Sequence, residues 1–413
     1  MTWEPGARAE WVGLVNAGAI APITEEACQR FDRDQLMSEA RARAGVGGKG
    51  AAGFGDYSFI EPFDVLVAAL EEEADLTIVG RWMARRFLLR LLQVRLQMVE
   101  YVNAEPGVRD EAIVEPLFVC GLPRTGTTLL HAVLARDTAR RAPRGWELLY
   151  PLPPPVAEDE RVALADAELR MLASVVPAMD VIHEYGARLP KECLSAHSFE
   201  FRSEEFTARY HVPSYAQWLE GCDMTPAYRC HRLVLQMLQR RTGPARWVLK
   251  SPVHLHSLPI VRRVYPDARV VVTHRDPLTV LGSATSLVAN LRWVHSDRVD
   301  YAAIASELAA RYRASLDRLV DLDAELRGTN VLHHVRYADV VRDLVGEMRS
   351  VYEDFRLPMT DAVNAAMRDE QAARPQHRHG VHEYAFDDTG LDRADVRKGF
   401  ARYCEYFGVA ADA

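Results

Sequence analysis

One stretch constrains this chain more than any other: PLFVCGLPRTGTTLLHAVLARD, Pro116 to Asp137. It reads as a short apolar strand, a glycine-bearing turn and then a helix. The turn, GLPRTGTT from Gly121 to Thr128, has the G-x-x-x-x-G spacing of a loop whose backbone N–H groups cradle phosphate. Nucleoside triphosphatases place a lysine directly after the second glycine, where it reaches the β- and γ-phosphates. Here that position is Thr127, and the nearest cation is Arg124, inside the loop.

Three further runs share the apolar, β-branched character of PLFVC (116–120): RWVLK (246–250), RVVVTH (269–274) and NVLHHVRY (330–337). Each precedes a helical pattern. Strands alternating with helices imply an α/β fold, a P-loop type parallel sheet flanked by helices. Residues 1–110 read as a helical N-terminal extension with a glycine-rich break at Gly45–Gly55, and 111–413 as the α/β domain. Within that domain, residues 144–235 read as a helical insertion over the end of the sheet where open α/β sheets bind ligands. The segment 391–408 reads as a final helix ended by Gly408.

Hydrophobic residues make up 48% of the 413, enough for a large core, and a net charge of −8 argues against nucleic acid as the main partner. The most apolar helical stretch, RWMARRFLLRLLQVRLQMVEYV, carries an arginine every few residues and reads as a packed helix rather than a membrane span. The N-terminal residues show no secretory pattern, and the six cysteines form no C-x-x-C pair, so a cytoplasmic protein with reduced thiols is expected. Only four lysines occur (Lys49, Lys191, Lys250 and Lys398), so each one stands out among the arginines.

A loop opening a helix offers N–H groups and the positive end of the helix dipole, to which Thr125, Thr127 and Thr128 add hydroxyls and Arg124 a planar fork of donors. Asp276 follows a strand, as a magnesium-organising acid would, but stands between Arg275 and Pro277. A triphosphate would therefore be poorly neutralised.

GLPRTGTTLL resembles the 5′-phosphosulfate loop of sulfotransferases that use 3′-phosphoadenosine 5′-phosphosulfate (PAPS). The resemblance implies that Pro123, Arg124, Thr125, Gly126, Thr127 and Thr128 hold the phosphosulfate, with Arg124 on the sulfonate. In VVVTHRDPLTVLGSATSL, Arg275 and Ser283 match the strand-Arg-x7-Ser arrangement that binds the 3′-phosphate in the family. RWVLKSPVHLHSLP places Lys250 where the family has a lysine near the bridging oxygen. Tyr337 is similar to a tyrosine bordering the adenine, and Arg378 and Gly380 to a basic loop over the 3′-phosphate. The resemblance implies PAPS as co-substrate, 3′,5′-adenosine bisphosphate as product, and no need for a metal.

Sulfuryl transfer then requires a base for the acceptor hydroxyl. His254 and Glu192 are the main candidates, with His183, Glu184 and His197 behind them. The family's catalytic histidine falls two residues past the lysine, whereas position 252 here is Pro. Trp146, Tyr150, Tyr215 and Trp218 suggest a pocket for a small lipophilic acceptor carrying a hydroxyl group. Two rival readings stay open: a kinase or NTPase with a degenerate Walker motif, and a nucleotide-binding module without turnover.

Overall fold

The computed structural model describes residues 3–44, 53–152, 159–182, 184–240, 242–374 and 384–412. Its centre is an all-parallel sheet in the order β2-β3-β1-β4-β5. The strands are β1 (Leu117–Gly121), β2 (Arg140–Arg141), β3 (Arg246–Lys250), β4 (Arg269–His274) and β5 (Leu332–Arg336). The four apolar runs of the sequence supply β1, β3, β4 and β5. The edge strand β2 is two arginines long, and no apolar pattern announces it.

Side chains alternate between two covered faces, which is why β1 is apolar throughout and β3 and β4 have apolar centres. Phe118, Cys120, Leu249, Val270 and Val272 pack on one face. Leu117, Val119, Val248, Val271 and Val335 pack on the other. Register then aligns the strand ends: Val119 lies opposite Lys250, Gly121 opposite Thr273, and His274 opposite Arg336. The loop after β1, Lys250 at the end of β3, Arg275 after β4 and Tyr337 after β5 therefore share one edge. That carboxyl edge is where open parallel sheets bind ligands.

The arginine-rich stretch lies in one helix, Ile78–Ala104, whose start is capped by Thr77 accepting from the Gly80 N–H. Gly80 permits a close crossing: a Cβ there would lie 1.9 Å from the carbonyl oxygen of His295, at the end of the helix Pro277–His295. Arg86 is exposed, but most of the other arginines do not face water. Arg85, Arg90 and Arg95 are buried and meet Glu39, Glu168 and Glu200. Arg95 also donates to the carbonyls of Phe54, Asp56 and Phe199 and lies 4.1 Å over the Phe59 ring. One guanidinium thus ties the N-terminal helices to the segment between β2 and β3.

That segment holds the helices Gly145–Leu149, Arg161–Val175, Glu204–Arg209, Pro213–Gly221 and Thr225–Gln239, among shorter turns. It is pinned to the sheet where the Cys193 N–H donates to the Lys250 carbonyl. The C-terminal segment differs from the single helix expected. It forms two, Arg393–Gly399 and Ala401–Phe407, and Gly408 ends the second in the left-handed conformation. No helix among the described residues is long and apolar enough to cross a membrane.

Candidate active site

The segments that follow β1, β3, β4 and β5 close, with the segment between β2 and β3, around a cavity of about 690 Å³. Its floor is the loop after β1. Gly121 takes a φ of +146°, and a Cβ there would meet the Thr273 hydroxyl on β4 at 2.2 Å, so only glycine lets the strand turn this close to its neighbour. Arg124 has a φ of +68° and Gly126 one of +89°. Successive left-handed turns of this kind point backbone N–H groups inward, and the first N–H groups of the helix Thr127–Leu134 lack intrahelical partners. The result is an anion cradle at a helix start.

Pro123, Arg124, Gly126, Thr127 and Thr128 line the cavity; Thr125 does not. The Thr125 hydroxyl donates to the Leu122 carbonyl at 2.6 Å and meets the Thr273 hydroxyl at 2.5 Å, which fastens the loop to β4. What Thr125 can offer an anion is its backbone N–H, and the expectation of a hydroxyl contact is corrected accordingly.

Lys250 sits at the rear of the cradle with its side chain 3% exposed. Its ammonium donates to the Thr128 hydroxyl at 3.1 Å and to Glu192 Oε1 at 2.5 Å. The Cys193–Lys250 backbone bond explains why Glu192 arrives there. The ammonium therefore bridges a hydroxyl on the first turn of the loop helix and a carboxylate on the segment between β2 and β3.

Arg275, Ser283 and Tyr337 converge on Arg124. Arg275 donates from one amino group to the Arg124 carbonyl at 2.9 Å and lies 4.1 Å over the Tyr337 ring. The Ser283 hydroxyl, 1% exposed, accepts from Arg124 Nε at 3.2 Å and does not itself line the cavity. Gly126 backs the other side of Tyr337, where a Cβ would fall 3.1 Å from the ring. Burial lowers the Arg124 pKa, and the Arg275 charge adds to the effect against nearby tyrosines. Two cations this close favour an anion between them. Asp412, which sequence reasoning missed, holds Arg275 Nε at 2.8 Å.

His254 is a correction. It is buried, its Nδ1 bonds the Tyr228 hydroxyl at 2.9 Å, and its ring stands edge-on to Phe118 at 4.9 Å, away from the cavity. Burial first, and then neighbouring histidines and Lys250, hold its pKa well below the imidazole range. The cause is the 3₁₀ turn Pro252–Ser257. Residues three apart eclipse in such a turn, so Val253 and His256 face the cavity and His254 faces the core. His256 meets the Ser315 hydroxyl at 2.5 Å and Glu204 at 3.4 Å.

The aromatic pocket is corrected too. Trp146, Tyr150, Tyr215 and Trp218 do not line the cavity. Tyr215 is core, bonded to the Phe201 carbonyl at 2.8 Å, and Tyr150 donates to Glu168 at 2.9 Å. The apolar part of the cavity wall is instead mostly aliphatic, with Val181, Ile182, Leu189, Leu287, Val288, Leu291 and Leu308, beside Tyr185 and Tyr312 and charged residues such as Glu204, Arg209 and Arg311. His197 is buried outside the cavity, whereas Glu184 lines it and accepts from Arg374 at 2.9 Å. His183, Arg378 and Gly380 lie outside the described residues. Lys191 was not singled out as a site residue, yet it lines the cavity, its ammonium 5.4 Å over the Tyr185 ring. Asp276 stays out of the cavity; it caps the helix after β4 and pairs with Arg397 at 3.2 Å. It is therefore not placed as a magnesium-organising acid.

Residues 116–361 match the sulfotransferase family. The chain belongs to that family. Among solved structures this sulfotransferase is similar to STF1 from Mycobacterium tuberculosis H37Rv, at 32% identity and a TM-score of 0.78 over 90% of this chain and 98% of that one. It is also similar to the sulfotransferase STF9 from Mycobacterium avium, at 28% identity and a TM-score of 0.82 over 94% of this chain and 99% of that one. Coverage so high takes in N-terminal helices that precede the family match. Among curated proteins it is similar to the omega-hydroxy-beta-dihydromenaquinone-9 sulfotransferase Stf3 of Mycobacterium bovis, 26% identical over 257 residues. That match covers 59% of this chain and 63% of Stf3, so the chain spans less than two thirds of the curated relatives' length.

Proposed function

We propose that this sulfotransferase moves a sulfuryl group from PAPS to the hydroxyl of a small lipophilic acceptor. The observation that carries the reading is the meeting, in one cavity, of the cradle with Arg124, the Lys250–Glu192 pair and an aliphatic wall. The loop N–H groups suit the 5′-phosphate, and Arg124 suits a sulfonate of single charge. Arg275 suits a further phosphate, with Tyr337 beside it as a flat apolar surface. A nucleotide carrying a 3′-phosphate matches this distribution better than ATP does.

In the step itself the acceptor oxygen attacks sulfur as the bond from sulfur to the bridging oxygen breaks. The acceptor proton passes to Glu192, and 3′,5′-adenosine bisphosphate departs with the bridging oxygen. Lys250 and Arg124 offset charge on the leaving and equatorial oxygens, in the manner of phosphoryl transfer. Glu192 fits the base role because its carboxylate lines the cavity beside Lys250, whereas His254 is turned into the core. The aliphatic wall, and the lipid-like acceptor in the name of Stf3, support a lipophilic alcohol as acceptor. We read the chain as cytoplasmic, a reading supported by its six free cysteines.

The test is incubation with PAPS and a panel of long-chain primary alcohols, following adenosine bisphosphate and sulfated product by mass spectrometry. Both should form together without added divalent metal. ATP consumption in magnesium, with no turnover of PAPS, would support the kinase reading instead. Tight bisphosphate binding with no turnover on any acceptor would support the inactive module.

A further inference from the structure

A second concavity of about 740 Å³ runs along the edge strand β2 and borders the first, sharing Ala132, Leu189, Pro190 and Arg374 with it. Among the described residues, seven arginines and two glutamates line it. Several of these arginines are already paired. Arg141 meets Glu147, Arg246 meets Glu115, Arg374 meets Glu370 and Glu184, and Arg136 lies 3.5 Å from Glu370. Three are not satisfied in this way. Arg144 and Arg188 are both exposed, and their guanidinium groups form no ion pair among the described residues, although the Arg144 backbone N–H donates to Glu147 at 2.8 Å. Arg140 has a side chain only 4% exposed, with Nε 3.7 Å from Asp137, and its NH1 is buried with no hydrogen-bond partner.

Guanidinium groups gathered in one groove repel each other, and a buried N–H without an acceptor is costly. Both defects are relieved by one oxyanion with several acceptor oxygens, which planar forks bind in bidentate fashion. We propose that this groove is a second anion site, separate from the loop after β1, and that it takes a phosphate group. Its ligand chemistry is that of a phosphate monoester or diester. The source is either the headgroup of an anionic lipid or a soluble phosphate compound. The assignment does not depend on the sulfuryl-transfer reading, because Arg140, Arg144 and Arg188, which carry it, have no role there.

The experiment compares wild type with Arg144→Glu/Arg188→Glu, and with Arg144→Gln/Arg188→Gln as a milder pair. Both residues are exposed, and thermal melts would verify that the variants fold. One arm measures co-sedimentation with phosphatidylcholine vesicles with and without phosphatidylglycerol. The other titrates inorganic pyrophosphate by calorimetry. Losing a charge-assisted contact costs about tenfold in affinity for each arginine.

Binding that requires phosphatidylglycerol and drops by that factor in the variants assigns the groove to a lipid headgroup. Pyrophosphate binding that loses a site in the variants, with vesicles ignored, assigns it to a soluble phosphate. Variants that match wild type in both arms overturn the proposal.

Discussion

Replacing Glu192 by Gln separates proton transfer from packing. The Lys250 ammonium donates to Glu192 at 2.5 Å and to Thr128 at 3.1 Å, almost out of contact with water. A Gln side-chain oxygen can still accept from Lys250, so the loss is the charged part of one buried hydrogen bond, about 1–3 kcal/mol. A domain stable by about 5–15 kcal/mol survives that change. Proton transfer does not survive it, because an amide cannot take the acceptor proton. A positioned base is worth about 10²–10⁴ in rate, or about 3–5 kcal/mol on the barrier. Glu192→Gln should therefore lower kcat at least about a hundredfold, while affinity for adenosine bisphosphate shifts by less than about threefold. Steady-state turnover of PAPS, calorimetry of the bisphosphate and urea unfolding read these quantities separately. A variant with kcat within about threefold of wild type would refute Glu192 as the base.

Arg95→Met should destabilise the fold by about 3–5 kcal/mol in urea unfolding, because Glu200 would stay buried with only the more distant Arg202, at 4.0 Å, and adding Glu200→Gln should recover part of the loss. Stability should also fall in mild acid. Burial holds His197 to a pKa of about 4 and His131 and His295 to about 3. Unfolded imidazoles protonate near about pH 6.5, so below that pH the unfolded chain binds more protons. The stabilisation is complete above about pH 6.5 and is lost on acidification at up to about 1.4 kcal/mol per pH unit for each histidine. Equal urea midpoints at neutral pH and at about pH 5.5 would contradict this. Lys191→Met should leave bisphosphate affinity unchanged and alter KM for the acceptor, since Lys191 lines the cavity over Tyr185; an unchanged acceptor KM would remove Lys191 from the pocket's function.

The sheet was legible because strands covered on both faces carry apolar runs, as β1, β3 and β4 do, while the edge strand β5 keeps only Leu332 and Val335 around its two histidines. The loop was legible because Gly121 and Gly126 stand where only glycine fits easily. Position 254 was misread for a local reason. Spacing along the chain does not show the turn type, and a 3₁₀ turn after Pro252 carries His256 rather than His254 to the cavity. Pro252 itself is a signal that could have suggested that turn. The aromatic residues were misread because bulk and polarity do not say which side of a helix faces a ligand. Tyr215 has a hydroxyl that finds its partners at Ser203 and Phe201 inside the core. Asp412 lies 137 residues beyond Arg275, a distance over which no local pattern operates.

The central claim is that Arg275, held against the Arg124 carbonyl and over Tyr337, marks a site for a nucleotide bearing a 3′-phosphate. Calorimetry of 3′,5′-adenosine bisphosphate beside ATP with magnesium, on wild type and Arg275→Ala, tests it most directly. The account predicts that the bisphosphate binds more tightly than ATP and loses about tenfold to a hundredfold in the variant. Preferred binding of ATP, or bisphosphate binding indifferent to Arg275→Ala, would contradict it.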